Sequence, residues 1–187
     1  MRTIVNSFDD SSQLVSLDEA MEFSRITDSY DEVVVTMCLD AAHDLIERWC
    51  NRKIYLTNMS GVTDEYKHKV LLPYPPVKTL NSVTAENAEH ETVTLVEGVD
   101  YKFNSITQCV TFISKQNTIK TYTDFTFNFD CGYDGIENVP RSIKHAVLMT
   151  FATLYENRED NVVGASVASV PLKARTVLAA VRVRSHP

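Results

Sequence analysis

Glycine is scarce, with five residues in a chain of 187. A loop that cradles phosphates needs several glycines close together so that backbone N–H groups can converge on the anion. No such cluster exists, and neither G-x-S-x-G nor H-E-x-x-H occurs. The four cysteines, Cys38, Cys50, Cys109 and Cys131, lack the short spacings that bring two ligands onto one zinc ion. They read as reduced thiols, and neither a metal nor a cofactor is expected. Residues 130–135 superficially resemble a calcium loop, but Gly132 stands where an oxygen ligand is needed, so a turn is expected. No apolar run reaches the roughly eighteen residues of a membrane span. Residues 1–10 lack both a charged n-region and an apolar stretch, so no secretory leader is expected there. Basic residues are also in deficit, 18 against 25 acidic, for a net charge of −7. That balance excludes a chain that wraps nucleic acid, because phosphate binding depends on excess Lys and Arg.

The charge is unevenly placed. Residues 1–52 hold 11 acids and 4 bases, and residues 53–137 hold 11 acids and 7 bases. Residues 138–160 are neutral, and residues 161–187 carry four bases and no acid. An acidic body with a basic tail is the asymmetry of an interaction tail.

Residues 1–15 are polar and read as a flexible N-terminal arm. Ser16-Leu17-Asp18-Glu19 forms a capping box ahead of a short helix, and Ser29-x-x-Glu32 repeats it ahead of a longer one. Along the second helix Val34, Cys38, Ala41, Leu45 and Trp49 recur at helical spacing, widened by Val33, Met37, Ala42 and Ile46, and predict its buried stripe. From residue 53 the period becomes two. Strands are predicted at 53–57, 67–72, 79–85, 92–95, 100–104, 109–113 and 122–130. Leu72-Pro73-Tyr74-Pro75-Pro76-Val77 reads as a stiff connector, since three prolines remove three ladder donors. Tyr74 within it is expected to belong to the core. After Pro140 a helix is predicted whose buried stripe is Ile143, Val147, Thr150, Phe151 and Leu154. A short helix is predicted at 172–180.

The fold class is therefore α+β. A helical core of residues 16–52 and 138–160 receives an inserted β subdomain, residues 53–137, an antiparallel sheet or sandwich of about seven short strands. Residues 161–187 form a C-terminal loop, short helix and basic tail.

Nothing in the chain assembles a nucleophile, a base and an orienting group. His43-Asp44 reads as a surface pair on a helix, and Glu86, Glu89 and Glu91 as a solvated loop. The chain is expected to be a non-enzymatic binding or structural protein.

One layout has a likeness. It runs through Ile46-Glu47-Arg48-Trp49-Cys50-Asn51-Arg52, then Leu72-Pro73-Tyr74-Pro75-Pro76-Val77, then Phe129-Asp130-Cys131-Gly132-Tyr133. It continues through Val139-Pro140-Arg141-Ser142-Ile143 and ends in Leu154-Tyr155-Glu156-Asn157-Arg158-Glu159. Over roughly residues 16–180 this resembles the head–tail connector (adaptor) proteins of tailed bacteriophages, in particular the longer members with a β insertion. The ending, Val177 to Arg184, departs from the paired leucines and Tyr-Arg common in that family.

The resemblance implies a viral structural protein that forms a ring, usually of twelve copies, beneath the portal. DNA would pass through without specific binding, and a stopper or tail-completion protein would attach below. The expected location is the virion head–tail interface, with the host cytoplasm before assembly. Leu172, Lys173, Arg175, Val181, Arg182, Val183 and Arg184 would form a portal-docking tail. Tyr155, Glu156, Arg158 and Glu159 would meet a neighbouring subunit. Asp31, Glu32, Asp40, Asp44 and Glu47 would line an acidic lumen that repels DNA. On this reading residues 1–15 and 161–187 would become ordered only in the assembly. The alternative is a soluble ligand- or partner-binding regulatory α+β protein.

Overall fold

The structure, a computed structural model, describes residues 1–8, 13–27, 32–113, 117–157 and 171–183. The chain divides into two compact units, one of residues 1–10 and 53–134, the other of residues 11–52 and 135–187. Among the described residues no helix is long and apolar enough to cross a membrane.

The first unit is two antiparallel sheets. Strands β1 (Arg2–Phe8), β2 (Thr57–Thr63), β4 (Val77–Glu86), β5 (Thr92–Leu95) and β8 (Thr123–Cys131) form a five-stranded sheet in the order β1-β2-β8-β4-β5. Strands β3 (Lys69–Leu71), β6 (Tyr101–Asn104) and β7 (Cys109–Phe112) form a three-stranded sheet in the order β3-β7-β6. Alternation in β8 turns Phe125, Phe127 and Phe129 to one face, where all three are fully buried. Phe112 of the smaller sheet lies 5.2 Å from the Phe125 ring and 6.4 Å from the Phe127 ring. These offset aromatic contacts join the two sheets into one core with Met59, Val70, Val83 and Val110.

Two sequence expectations need correction here. The predicted flexible arm contains β1, which pairs antiparallel with β2 from Arg2↔Val62 to Phe8↔Thr57. Arg2-Thr3-Ile4-Val5-Asn6-Ser7-Phe8 lacks the period-two alternation that marks a strand, which an edge position does not require. The strand predicted at 53–57 instead lies at Thr57–Thr63, and with β1 the described residues hold eight strands rather than seven. Its inner face is Thr57, Met59, Gly61 and Thr63, too small and polar to announce a buried strand. The other predicted strands are present to within a few residues. The Pro-rich connector holds a cis peptide between Pro75 and Pro76, and Tyr74 packs on the core as expected.

At the end of β8, Gly132 has φ +104, and a Cβ there would stand 2.1 Å from the Tyr55 carbonyl oxygen. Only glycine permits both the left-handed turn and this approach. The segment bridges Tyr55 to Tyr133.

The second unit is helical: α1 (Leu17–Phe23), α2 (Glu32–Cys50), α3 (Arg141–Glu156) and α4 (Leu172–Leu178). The capping box at Ser16 and Glu19 is formed as predicted. Glu19 also accepts a 2.7 Å hydrogen bond from Lys144 on α3. That hydrogen bond, then one from the Ser16 backbone, holds the Glu19 carboxyl below its usual range. The second capping box falls on Ser29, outside the described residues. Helix α3 packs on α2 and α4 and buries Ile143, Ala146, Val147, Thr150 and Phe151, close to the predicted stripe.

The stripe of α2 is displaced by one residue. The buried positions are Val35, Leu39, Ala42, Ile46 and Cys50, whereas Val33 and Met37 are 72% and 67% exposed. Val33-Val34-Val35 offers three phases of the same helix, and the packing of α1 and α3 selects among them.

Candidate functional site

Three surfaces carry the residues singled out from the sequence. The first is the outward side of α2. Glu32, Asp40 and Asp44 are exposed, and Glu47 is half-buried. Asp44 lies 3.9 Å from Arg48, an exposed i,i+4 pair that locally offsets the acidic charge. His43 is half-buried on the same helix. Burial holds its imidazole below the ordinary range, against the pull of Asp40 and Asp44. Asp31 lies outside the described residues.

The second is the end of α2 together with the C-terminal segment. Asn51 adopts φ +53 and Arg52 N–H donates to the Glu47 carbonyl at 3.3 Å, the closing pattern of a helix C-terminus. The tail then supplies further partners. Val183 N–H donates to the Cys50 carbonyl at 2.9 Å, and the Asn51 side-chain amide donates to the Val183 carbonyl at 2.9 Å. Arg52 Nε donates to the Val181 carbonyl at 2.6 Å. The Arg182 guanidinium lies 4.5 Å from the Trp49 ring centroid. A helix end leaves its last carbonyls without intrahelical partners, and the tail satisfies one of them.

This departs from the expectation that residues 161–187 become ordered only in an assembly. Their described part, 171–183, is folded within its own unit. In α4 Ala174 and Leu178 are fully buried, Lys173 is exposed and Arg175 is half-buried. Sequence reasoning missed the clamp because Asn51, Arg52 and Trp49 are separated from their partners by about 130 positions, with nothing local to join them. Leu172 opens α4, and Arg184 lies outside the described residues.

The candidates at the end of α3 are only partly placed. Tyr155 is half-buried with its ring 5.9 Å from Phe151, and Glu156 is exposed. Arg158 and Glu159 lie outside the described residues.

The third surface lies outside the candidate site residues named from the sequence. The face of the five-stranded sheet opposite the phenylalanines carries a connected polar network. Asn6 donates to Asn58 at 2.9 Å and to Ser60 at 2.8 Å. Ser60 donates to Asn128 at 2.6 Å, and Asn128 donates to Ser82 at 2.9 Å. Asp130 accepts from Asn58 at 2.6 Å, Thr79 at 2.9 Å and Asn81 at 3.0 Å. Four strands, β1, β2, β8 and β4, are thus tied side chain to side chain. Burial would raise the Asp130 pKa, but these hydrogen bonds, with Lys78 nearby, outweigh it and hold the carboxyl below its usual range. The period-two alternation of 122–130 predicted a polar face. The cross-strand partners depend on register, which the strand alone does not carry.

Among the described residues no group of three His, Cys, Asp or Glu side chains could hold a metal ion. The Cys50 thiol is pushed up to about 11 by burial, although Arg52 and Arg182 favour the thiolate. It is therefore protonated at neutral pH.

The architecture is that of an α+β protein in which a helical unit is interrupted by a two-sheet β unit. A family model described as head completion protein matches residues 13–181. The chain belongs to that family, in agreement with its resemblance to phage head–tail connectors. Among curated proteins, none matches. The fold is similar to a chain in "Virion of native gene transfer agent (GTA) particle", with TM-score 0.75, 17% identity and coverage of 100% of this chain and 98% of that one. It is similar also to a chain in "Neck of empty GTA particle computed with C6 symmetry", with TM-score 0.74, 15% identity and coverage of 100% and 98%. A third, in "Neck of native GTA particle computed with C12 symmetry", has TM-score 0.65, 18% identity and coverage of 96% and 97%.

Proposed function

We propose that this protein is a non-enzymatic head–tail connector that forms a ring beneath the portal of a tailed-phage-like virion. The family match over residues 13–181 carries the reading. The fold likeness to chains of particle necks, two of them described with C6 and C12 symmetry, supports a cyclic assembly. The protein acts at the head–tail interface, receives a stopper or tail-completion protein on its far side, and waits in the host cytoplasm before assembly. Double-stranded DNA passes through the ring. The exposed Glu32, Asp40 and Asp44 suit a lumen that must guide DNA without retaining it, because like charge avoids counterion-release binding.

The clamp on α2 refines the docking tail. Deleting residues 171–187 would remove buried Ala174 and Leu178, so it would damage the helical unit as well as any docking surface. A chain ending after Val183 keeps α4 and the clamp. The decisive experiment mixes the purified protein with the portal protein of the same virus and images the product by electron microscopy. A ring coaxial with the portal is expected. Absence of any ring at high protein concentration overturns the reading. The shortened chain should fold; weaker portal binding would assign docking to Arg184 and the residues after it, and undiminished binding would leave it to residues 172–183.

A further inference from the structure

The five-stranded sheet has two incomplete edges. On one side lies β1, which among the described residues pairs with β2 alone. It has no proline and no lysine, and Ile4 and Val5 are 63% and 45% exposed. Edge strands of self-sufficient domains are usually short, or guarded by such residues or by a covering element. On the other side β5 covers β4 only from Val83 to Glu86. Among the described residues no strand pairs with β4 at 77–82 on the side away from β8, although the Val77 N–H is already taken by the Gln108 side chain.

The two openings are complementary. β1 has seven residues, and the uncovered part of β4 has a similar length. Successive antiparallel pairings make β1 and β8 run one way and β2 and β4 the other. A copy turned by a modest rotation keeps its strand sense, so its β1 meets β4 of the first copy antiparallel. That is the slightly more stable pairing. Different edges meet at such a contact, which is therefore heterologous and builds rings rather than closed pairs.

We propose that β1 of one copy adds to the uncovered half of β4, residues 78–82, of the next copy, so that the five-stranded sheets join around the assembly. This inference rests on the ring reading above and names the surfaces that would close it. The sheet's polar face then continues across the boundary. Ile4 lies opposite Ser60, whose side chain belongs to the polar network, and Thr79 and Asn81 join the same network through Asp130. Ile4 of one copy would thus share a face with Thr79 and Asn81 of its neighbour. Cross-strand neighbours on one face bring their Cβ atoms close enough for a disulfide.

The test pairs Ile4→Cys with Thr79→Cys, and separately with Asn81→Cys, in the full chain. Each is assembled with the portal protein and oxidised mildly, with the single variants as controls for the native cysteines. A ladder of dimer, trimer and higher covalent species is expected from at least one pair and from neither single variant. Ile4→Lys, which adds a guarding charge to the edge, should raise the protein concentration for half-assembly about tenfold. Three results would overturn the proposal while leaving the connector reading intact. They are wild-type rings with no cross-linking above the controls, a covalent dimer with nothing larger, and unchanged assembly of Ile4→Lys. Failure of the wild-type protein to form any ring would overturn both.

Discussion

The guanidinium of Arg182 lies over the indole ring of Trp49, 4.5 Å from its centroid, and fastens the C-terminal segment to the end of α2. Arg182 is exposed, so the contact contributes about 0.5–1 kcal/mol. Arg182→Ala should lower the melting temperature by about 1–4 °C in a chain of this size. Limited trypsin digestion should become faster at Lys173 and Arg175 as the segment opens more often. An unchanged digestion rate would show that the three hydrogen bonds to residues 181–183 hold the segment without the ring contact.

Asp130 ties β2 to β4 through Asn58, Thr79 and Asn81. Its carboxyl is held below the usual range, so its stabilising contribution is full above the unfolded-state pKa of about 4. The contribution is lost as pH falls through the lower folded-state value. Asp130→Asn removes the ionisation and one acceptor, at a cost of about 1 kcal/mol at pH 7 once partial exposure is allowed for. Urea midpoints from about pH 6 to 2 should converge for wild type and variant as the medium becomes acidic. Parallel curves would show that Asp130 is not a source of acid sensitivity.

Gly132 and Gly98 both have positive φ, +104 and +84, but differ in their surroundings. A Cβ at Gly98 meets nothing within 4 Å, whereas at Gly132 it collides with the Tyr55 backbone. Gly98→Ala should cost about 1 kcal/mol, from backbone strain alone. Gly132→Ala should cost at least about 3 kcal/mol, because the bridge to Tyr55 must also move. Chemical denaturation of both variants checks the difference, and equal losses would remove the clash as its cause.

Cys50 and Cys131 are buried, whereas Cys38 and Cys109 are half-buried. The thiolate is the reactive form, and burial pushes the Cys50 thiol up to about 11. Brief iodoacetamide treatment at pH 8 should label Cys38 and Cys109 in the native protein, and Cys50 only after denaturation. Peptide mass spectrometry reads this directly. Rapid native labelling of Cys50 would mean that the clamp at the end of α2 opens readily.

Much of the fold was legible locally. The capping box at Ser16, the period-two run ending at Asp130 and the helical period after Pro140 each follow from contacts within one turn or one strand. The misses share a different cause. β1 and β2 are strands because each lies beside another, and neither shows a clear apolar alternation of its own. The phase of α2 was ambiguous for the opposite reason, since Val33-Val34-Val35 has apolar residues on more than one face.

The sequence by itself determined the α+β class, the interruption of the helical unit by a β unit, the acidic front and the basic end. These depend on periodicity and composition, which are local quantities. Only the tertiary structure decided which valines of α2 are buried, that β1 forms one edge of the five-stranded sheet, and that Arg182 returns to Trp49. Each of those joins residues remote in the chain, and their pairing is selected by burial and by hydrogen-bond satisfaction across the whole unit.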